Sequence, residues 1–395
     1  MSVFFKGAEI GGINIKNKLI RSATFENMYI DESFDKLINL YDTLSKNDVG
    51  LIITGNFAVC ANGRSNDIYD LEDKKLVLKL PSLVKACHDN NSRIVLQLNH
   101  VGRQAFSSSL KKGPSVGPSA VFDSAFGVMP KALDKEGIKE IRNAFINCAK
   151  IAYDCGFDGI QLHAAHGYLL SQFLSPRINK RRDEYGKDTS GRMRLIREIT
   201  EGIKEKINDK FMLLIKINCH DLYSNGIEKA EFLNICKAAG KLFDAIEISS
   251  GTLESALNFY TYFKDESSYY REYAKEAKKV SGCKIILVGN NRNYETCSDI
   301  LDNGDADFIS VSKGLICEPN LFSRWKSGDT SDAKCTNCGT CLVKVYNSPL
   351  KCYFGNRLHA ALDVHEYLLG WMEQGIKNIG CLRDDEGQID VKPSS

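Results

Sequence analysis

What this chain has little of narrows the field first. Its 52 Lys and Arg against 50 Asp and Glu leave a formal charge of +2 over 395 residues, so neither sign dominates. That argues against a dedicated nucleic-acid binder or a membrane-surface protein, because both partners select a strong positive field. No apolar run approaches the roughly 18–20 residues that a membrane-spanning helix needs. The opening residues, Met1-Ser-Val-Phe-Phe-Lys-Gly-Ala-Glu, lack a basic stretch followed by an apolar one, so no secretory leader is expected. These absences together lead to the expectation of a cytoplasmic protein with no nucleic-acid and no membrane partner. No Gly-x-Gly-x-x-Gly follows the first candidate strand, which weighs against an open dinucleotide-binding sheet. Low-complexity tracts are missing too.

Cysteine, by contrast, is plentiful: there are 14. Ten are scattered, at Cys60, Cys87, Cys148, Cys155, Cys219, Cys236, Cys283, Cys297, Cys317 and Cys381. Most of them stand among apolar neighbours, where a free thiol behaves as a small core hydrophobe. A chain of this length needs no disulfide staples. The remaining four, Cys335, Cys338, Cys341 and Cys352, are clustered and ask for a separate account.

Short apolar runs alternate with amphipathic helical stretches. Candidate strands fall at 19–21, 50–54, 93–98, 159–162, 212–217, 245–248, 285–288 and 308–311. They are continuous apolar runs, as expected for parallel strands buried on both faces. Helical patterns lie between them at 34–44, 74–88, 136–155, 192–207, 229–241, 270–280, 294–301 and 320–326. Eight strand–helix units in order predict an α/β TIM barrel. The division expected is a barrel over residues 1–328 and a cysteine-containing extension over 329–395.

Three stretches depart from the repeat. Residues 3–16 read as a hairpin plugging the barrel's underside. Residues 103–134 form a long polar loop with Gly113-Pro114, Gly117-Pro118 and Met129-Pro130, a lid or rim. Residues 252–269 carry Tyr260, Tyr262, Phe263 and Tyr269 just before Tyr270; flanking of a planar ligand and local packing both remain open. Beyond the cysteine segment an amphipathic helix is expected near 358–374.

In a TIM barrel the chemistry sits at the C-terminal ends of the strands. Those ends present Ser22-Ala23-Thr24-Phe25, Gly55-Asn56, Gln97 to Arg103, then His163, His166 and Tyr168. Lys216, Asn218 and Asp221 follow, then Ser249-Ser250-Gly251, Gly289-Asn290-Asn291 and Ser312-Lys313-Gly314. Two imidazoles and a phenol at one strand end can hold a carbonyl oxygen and deliver a proton to a nearby carbon. Lys216 inside Leu213-Leu-Ile-Lys-Ile-Asn218 is a costly buried charge unless an anionic partner meets it. The two late glycine turns suit a phosphate, which backbone N–H groups can approach closely, though each is also compatible with a plain tight turn. His163 and His166 have the spacing of metal ligands, but no third ligand at a fixed spacing accompanies them.

These strand ends resemble the old yellow enzyme family over roughly residues 3–328. The matching motifs are Asn17-Lys-Leu-Ile-Arg-Ser-Ala-Thr24, Gln97-Leu-x-His-x-Gly-Arg103, His163-Ala-Ala-His-Gly-Tyr168 with its continuation to Pro176, Arg181-Arg-Asp-Glu-Tyr-Gly186 and Ile285-x-x-Val-Gly289. The resemblance implies FMN at the barrel mouth. It implies that Gln97 bonds the flavin's pyrimidine edge and that Lys216, where the family often has Arg, sits by flavin N1 and O2. Ser22, Ala23, Thr24 and Phe25, with Gly55 and Asn56, would line the ring. Gly289, Asn290, Ser312 and Lys313 would hold the phosphate. His163 and His166 would bind a substrate carbonyl, and Tyr168 would supply the proton. Two positions depart from the family: Phe25 stands where many members place Thr or Cys beside flavin O4, and Lys313 replaces a phosphate-binding Arg with a point charge.

The C-terminal segment resembles the 2,4-dienoyl-CoA reductase branch. There a barrel is followed by four iron–sulfur cysteines and then by FAD and NAD(P) domains. Cys335-Thr-Asn-Cys338-Gly-Thr-Cys341, with Cys352, implies a [4Fe–4S] cluster; a zinc site and an empty thiol group remain open alternatives. Only about 40 residues follow, so a cluster here implies an external electron donor. The function expected is an FMN-dependent ene-reductase taking electrons from NADH or NADPH and acting on a small-molecule substrate. Two rivals stay open: oxidation or demethylation of small amines, and a non-catalytic metal or redox sensor. The oligomeric state also stays open, a homo-oligomer included.

Overall fold

The computed structural model describes residues 2–28, 32–63, 69–105, 113–207, 210–255, 267–345 and 349–353. Tyr260, Tyr262, Phe263, Cys381 and the helix expected at 358–374 lie outside the described residues.

Eight strands form the centre: β1 Leu19–Arg21, β2 Leu51–Ala58, β3 Arg93–Asn99, β4 Gly159–Ala164, β5 Met212–Asn218, β6 Ala245–Ser249, β7 Lys284–Leu287 and β8 Phe308–Val311. Each is parallel to its neighbours, in the order β1-β8-β7-β6-β5-β4-β3-β2, and β1 pairs again with β2 to close the ring. This is the TIM barrel that the alternation predicts. Nearly every strand residue is buried, so the apolar runs reflect two covered faces.

Helices follow the strands in turn: α1 Glu32–Lys46, α2 Leu80–His88, α3 Lys135–Asp154, α4 Arg194–Lys206, α5 Lys229–Ala239, α6 Arg271–Ser281, α7 Tyr294–Asp302 and α8 Leu321–Lys326. Two expected helices are each broken into two pieces. The stretch 74–88 splits into Lys74–Val77 and α2. Pro81 has no N–H to donate and its ring would strike a carbonyl one turn back, so a helix tolerates it only in its first turn. The stretch 192–207 splits at Met193, because Asp188 caps a separate turn, Thr189–Arg192, by accepting from Gly191 N–H at 2.8 Å.

The N-terminal hairpin pairs Ala8–Ile10 with Ile13–Ile15. Gly11 and Gly12 make its turn with φ of +56° and +76°, which other residues adopt at a cost. Ile10 and Ile15 pack with Ile20, Leu51, Val95, Met212, Leu214 and Phe308 at the strands' N-terminal ends, plugging the barrel from below. Arg103 and Arg181 tie down the described part of the 103–134 segment, Arg181 by donating to Pro118 O at 3.0 Å and to Leu133 O. Arg103 donates to Val121 O at 3.1 Å and Phe122 O at 2.6 Å, and pairs with Asp123 at 3.3 Å and with Glu254 of the loop after β6. Burial pushes the Asp123 carboxyl up to about 7.

Candidate active site

The strand ends carry a cavity of about 260 Å³. Ser22, Ala23, Thr24 and Phe25 from the end of β1 form one wall, Lys216 of β5 and Ser249 of β6 part of the floor. Gly289, Asn290, Ser312, Lys313 and Gly314 form the far end, and His166 reaches the rim. Gly55, Asn56, Gln97, His163 and Tyr168 stand outside this wall. Sequence reasoning missed four lining residues, Ser310, Arg292, Asn337 and Leu342. Arg292 adds a second cation at the end where Lys313 lies.

Gly55 and Asn56 fall inside β2, not after it. Register slips between Ile53 and Asn56, and the bulge lets the β1 loop pass close by. A Cβ on Gly55 would come within 2.3 Å of Glu26 Oε2 and 2.7 Å of Thr24 O. Glycine is therefore required by the approach of the β1 loop. Asn56 Oδ1 is buried without a hydrogen-bond partner, an acceptor left open at the strand end.

The floor is a closed polar network that only partly follows from the sequence. Lys216 Nζ donates to Ser22 Oγ at 3.0 Å and lies 3.5 Å from Glu247 Oε2. Glu247 also accepts from Ser22 Oγ at 2.7 Å, Ser310 Oγ at 2.8 Å and Gln161 Nε2 at 3.0 Å. Gln161 Oε1 in turn accepts from Gln97 Nε2 at 2.7 Å. The signal for Glu247 was available: an acid in Ala245-Ile-Glu-Ile-Ser249 is as costly as Lys216 in its own strand, and each is the other's partner.

Above the floor, His163 and His166 meet edge to face with ring centroids 5.0 Å apart. His166 Nε2 lies 2.7 Å from Ser249 Oγ, and its backbone N–H donates to Asn218 Oδ1 at 3.0 Å. His166 has φ +61°, so the chain turns sharply right after β4. His163 Nδ1 accepts from Ala165 N–H at 3.4 Å, which leaves Nε2–H to donate. Burial pulls both imidazoles down, His166 to about 3 and His163 well below the usual range, with Lys216 adding to the effect. Both are neutral donors near pH 7. Tyr168 packs against His163 at 4.8 Å between centroids, and joins Phe25 over Ala58, Val101 and Ala105.

At the far end Gly289 has φ +119°, and a Cβ there would press to 2.8 Å of the Tyr270 ring. Asn290 follows with φ +55°. Burial lowers the pKa of Lys313. Thr24 Oγ1 is 2.8 Å from Ser312 Oγ and takes a short bond from Arg21, so its hydroxyl is turned toward β8.

The two ends thus differ in kind. One offers amides, serines and a lysine suited to a polar heteroaromatic ring, the other offers two cations and a glycine turn suited to a phosphate. The residues present fit FMN. A profile of the NADH:flavin oxidoreductase / NADH oxidase family matches residues 3–332. The chain belongs to that family. That family is one of oxidoreductases, and its name carries both redox partners, a nicotinamide donor and a flavin. An NADH oxidase of Thermoanaerobacter brockii is 31% identical over 340 residues, 85% of this chain and 52% of the relative. An NADPH dehydrogenase of Clostridium acetobutylicum is 34% identical over 282 residues, 71% of this chain and 80% of the relative. The old yellow enzyme homologue from Zymomonas mobilis superposes with a TM-score of 0.70 at 22% identity, covering 84% of this chain and 94% of that one, and so shares the fold. The chain spans about half the length of the Thermoanaerobacter relative.

The cysteine segment packs beside the site. Ala333 N–H donates to Arg292 O at 2.8 Å, Asn27 Nδ2 to Val345 O at 2.6 Å and Leu350 N–H to Glu26 O at 2.9 Å. Cys335 lines the cavity, Cys341 is buried, Cys352 is half-buried and Cys338 is exposed. Cys317, counted among the scattered thiols, hydrogen-bonds Cys352, and burial pushes it up to about 12. Among the described residues no group of three or more His, Cys, Asp or Glu side chains is arranged to hold a metal ion. No helix among the described residues is long and apolar enough to cross a membrane.

Proposed function

We propose that this chain is an ene-reductase that takes electrons from NADH or NADPH and reduces the activated C=C bond of an enone or enoyl compound. One observation carries the reading: His166 lines the same cavity as Ser22 and Lys216 and meets His163, whose ring in turn meets that of Tyr168. Gln97, Lys216 and Ser22 to Phe25 would hold the FMN ring, with Gly55 and Asn56 behind them. Gly289, Asn290, Ser312 and Lys313, joined by Arg292, would hold the phosphate. Bound FMN supplies a hydride from its reduced N5 to the substrate β carbon.

The protein's residues do the rest. The His163 and His166 imidazoles, kept neutral by burial, donate to the carbonyl oxygen and draw electron density from the alkene. Ser249 orients His166. Tyr168 delivers a proton to the α carbon. The Lys216 charge favours the negative charge that accumulates above the floor.

We assign residues 1–328 to the FMN-binding barrel and 329–395 to an extension. Cys335, Cys338, Cys341 and Cys352 have the thiol chemistry of a [4Fe–4S] donor set but are not gathered as one among the described residues, so we propose the cluster as a ligand whose loading would have to draw them together. No step above depends on it.

The test is anaerobic. Protein reduced with NADH or NADPH is mixed with 2-cyclohexenone, and reoxidation is followed at the flavin band. Formation of the saturated ketone is expected. Protein that ignores enones but is reduced by a small secondary or tertiary amine would overturn the assignment in favour of amine oxidation.

A further inference from the structure

Glu247 is fully buried, belongs to none of the strand-end motifs, accepts three hydrogen bonds and faces the Lys216 ammonium. A carboxylate can only accept. That restriction propagates. Because Glu247 Oε2 accepts, Gln161 must turn its NH₂ toward it, at 3.0 Å. Gln161 then shows its carbonyl to Gln97, so Gln97 spends an N–H on that bond, at 2.7 Å, and keeps Oε1 as a free acceptor. The same carboxylate lies 3.5 Å from Lys216 Nζ and offsets its charge. It also fixes the Ser22 hydroxyl, whose oxygen accepts from Lys216.

We propose that Glu247 is a positioning residue for the flavin: it fixes which way the amide of Gln97 faces and moderates the charge of Lys216. The proposal rests on the reading that Gln97 and Lys216 face the flavin ring. An Oε1 acceptor on Gln97 matches an imide N–H, which the pyrimidine edge of FMN presents. A neutral amide at position 247 sets a donor against Gln161. The chain of amides then reverses, and Gln97 presents only N–H groups to an N–H. The Lys216 ammonium loses its counter-charge at the same time and favours the reduced, more negative ring.

The experiment uses the FMN-loaded protein and measures FMN affinity and the two-electron midpoint potential by dye equilibration. Glu247→Gln is expected to weaken oxidised FMN about tenfold. It should also raise the potential by about 30 mV, a tenfold change in the oxidised-to-reduced ratio. Glu247→Asp keeps the charge and the acceptor and should stay nearer the parent in potential. Lys216→Met tests the reading beneath: it should lower the potential and weaken FMN. If Lys216→Met moves neither quantity, the placement of the ring is wrong. If Lys216→Met moves both and Glu247→Gln neither, the placement stands and the role of Glu247 falls. Should Glu247→Gln fail to fold, the Lys216→Met/Glu247→Gln pair removes both buried charges together. Its potential should lie above that of Lys216→Met alone, where an unpaired carboxylate remains below the ring; equal potentials would overturn the proposal.

Discussion

The ring of Tyr168 stands edge-on to the ring of His163, centroids 4.8 Å apart at 75°. His163 is next to last in β4, and Tyr168 immediately precedes the short helix Leu169–Leu174, whose first N–H donates to His100 O at 2.9 Å. The phenol's place is thus set by two strands at once. His163 is held between Tyr168 on one side and His166 on the other, so neither imidazole can swing away without displacing a neighbour.

This packing makes the carbonyl donors testable separately. His163→Ala should weaken binding of a simple phenol to the oxidised protein by roughly 1–3 kcal/mol, the loss of one buried donor. The folded-state pKa of both histidines is depressed, that of His166 to about 3, so neither gains a proton between pH 5 and 8. Affinity for a phenol that stays neutral over that range should be flat. A flavin spectral titration measures both effects. Equal dissociation constants for variant and parent would remove His163 from the site.

Much of this was legible in advance, for physical reasons. Eight doubly buried strands must be continuous apolar runs, and their ends must carry the polar residues, so the barrel and the wall Ser22 to Phe25 could be read directly. Lys216 announced itself as a charge among Leu and Ile. Glu247 gave the same signal, but its meaning depends on β5 and β6 pairing Lys216 with Glu247, which sequence alone does not align. Gln161 and Ser310 are polar residues whose worth depends on the same register. The bulge at Gly55 is tertiary, since the glycine answers to Glu26 rather than to its own strand. The proximity of Cys317 to Cys352 is likewise a product of folding.

Glu26 offers a stability test with a definite sign. Its carboxyl is fully buried against Arg21 at 3.4 Å and Tyr41 OH at 3.1 Å, and burial raises its pKa from 4.5 to about 7. Between those values the folded chain holds a proton that the unfolded chain has released. This contribution is therefore complete below about pH 4.5, lost as pH rises to 7, and level above. Glu26→Gln lacks that loss. The variant's unfolding free energy relative to the parent should improve by an amount on the order of 3 kcal/mol between pH 4.5 and 8. Denaturant melts at the two pH values check it; a constant difference would mean the carboxyl stays ionised.

The cysteine segment makes an analytical prediction. Cys338 is exposed, so an alkylating reagent should label it readily in metal-free protein. Anaerobic reconstitution with iron and sulfide should load about four irons per chain, by the stoichiometry of a four-cysteine site. Loading should protect Cys338, because ligation must draw it toward Cys335 and Cys341. Mass spectrometry of labelled peptides with iron and zinc analysis decides the matter. Protein that keeps zinc and refuses iron would make the segment a structural site.

The proton donor gives the sharpest kinetic test. Tyr168 is half-buried beside His163, on the same strand-end turn as both imidazoles. A phenol is a weak acid, but it donates well to a carbon that becomes basic as hydride arrives. Tyr168→Phe keeps the ring, its packing on Ala58, Val101 and Ala105, and its contact with His163. Flavin content and reduction by NAD(P)H should therefore be unchanged. Only the oxidative half-reaction with an enone should slow, by about 100-fold or more, the usual worth of a placed general acid. A nitroalkene, which accepts hydride without concurrent protonation, should be reduced at nearly the parent rate and released as a nitronate that protonates in solution. Stopped-flow traces of the two half-reactions separate these cases. If the variant reoxidises with the enone as fast as the parent, the proton comes from His166 or water. If both half-reactions and the flavin content fall together, Tyr168 serves only to pack the turn.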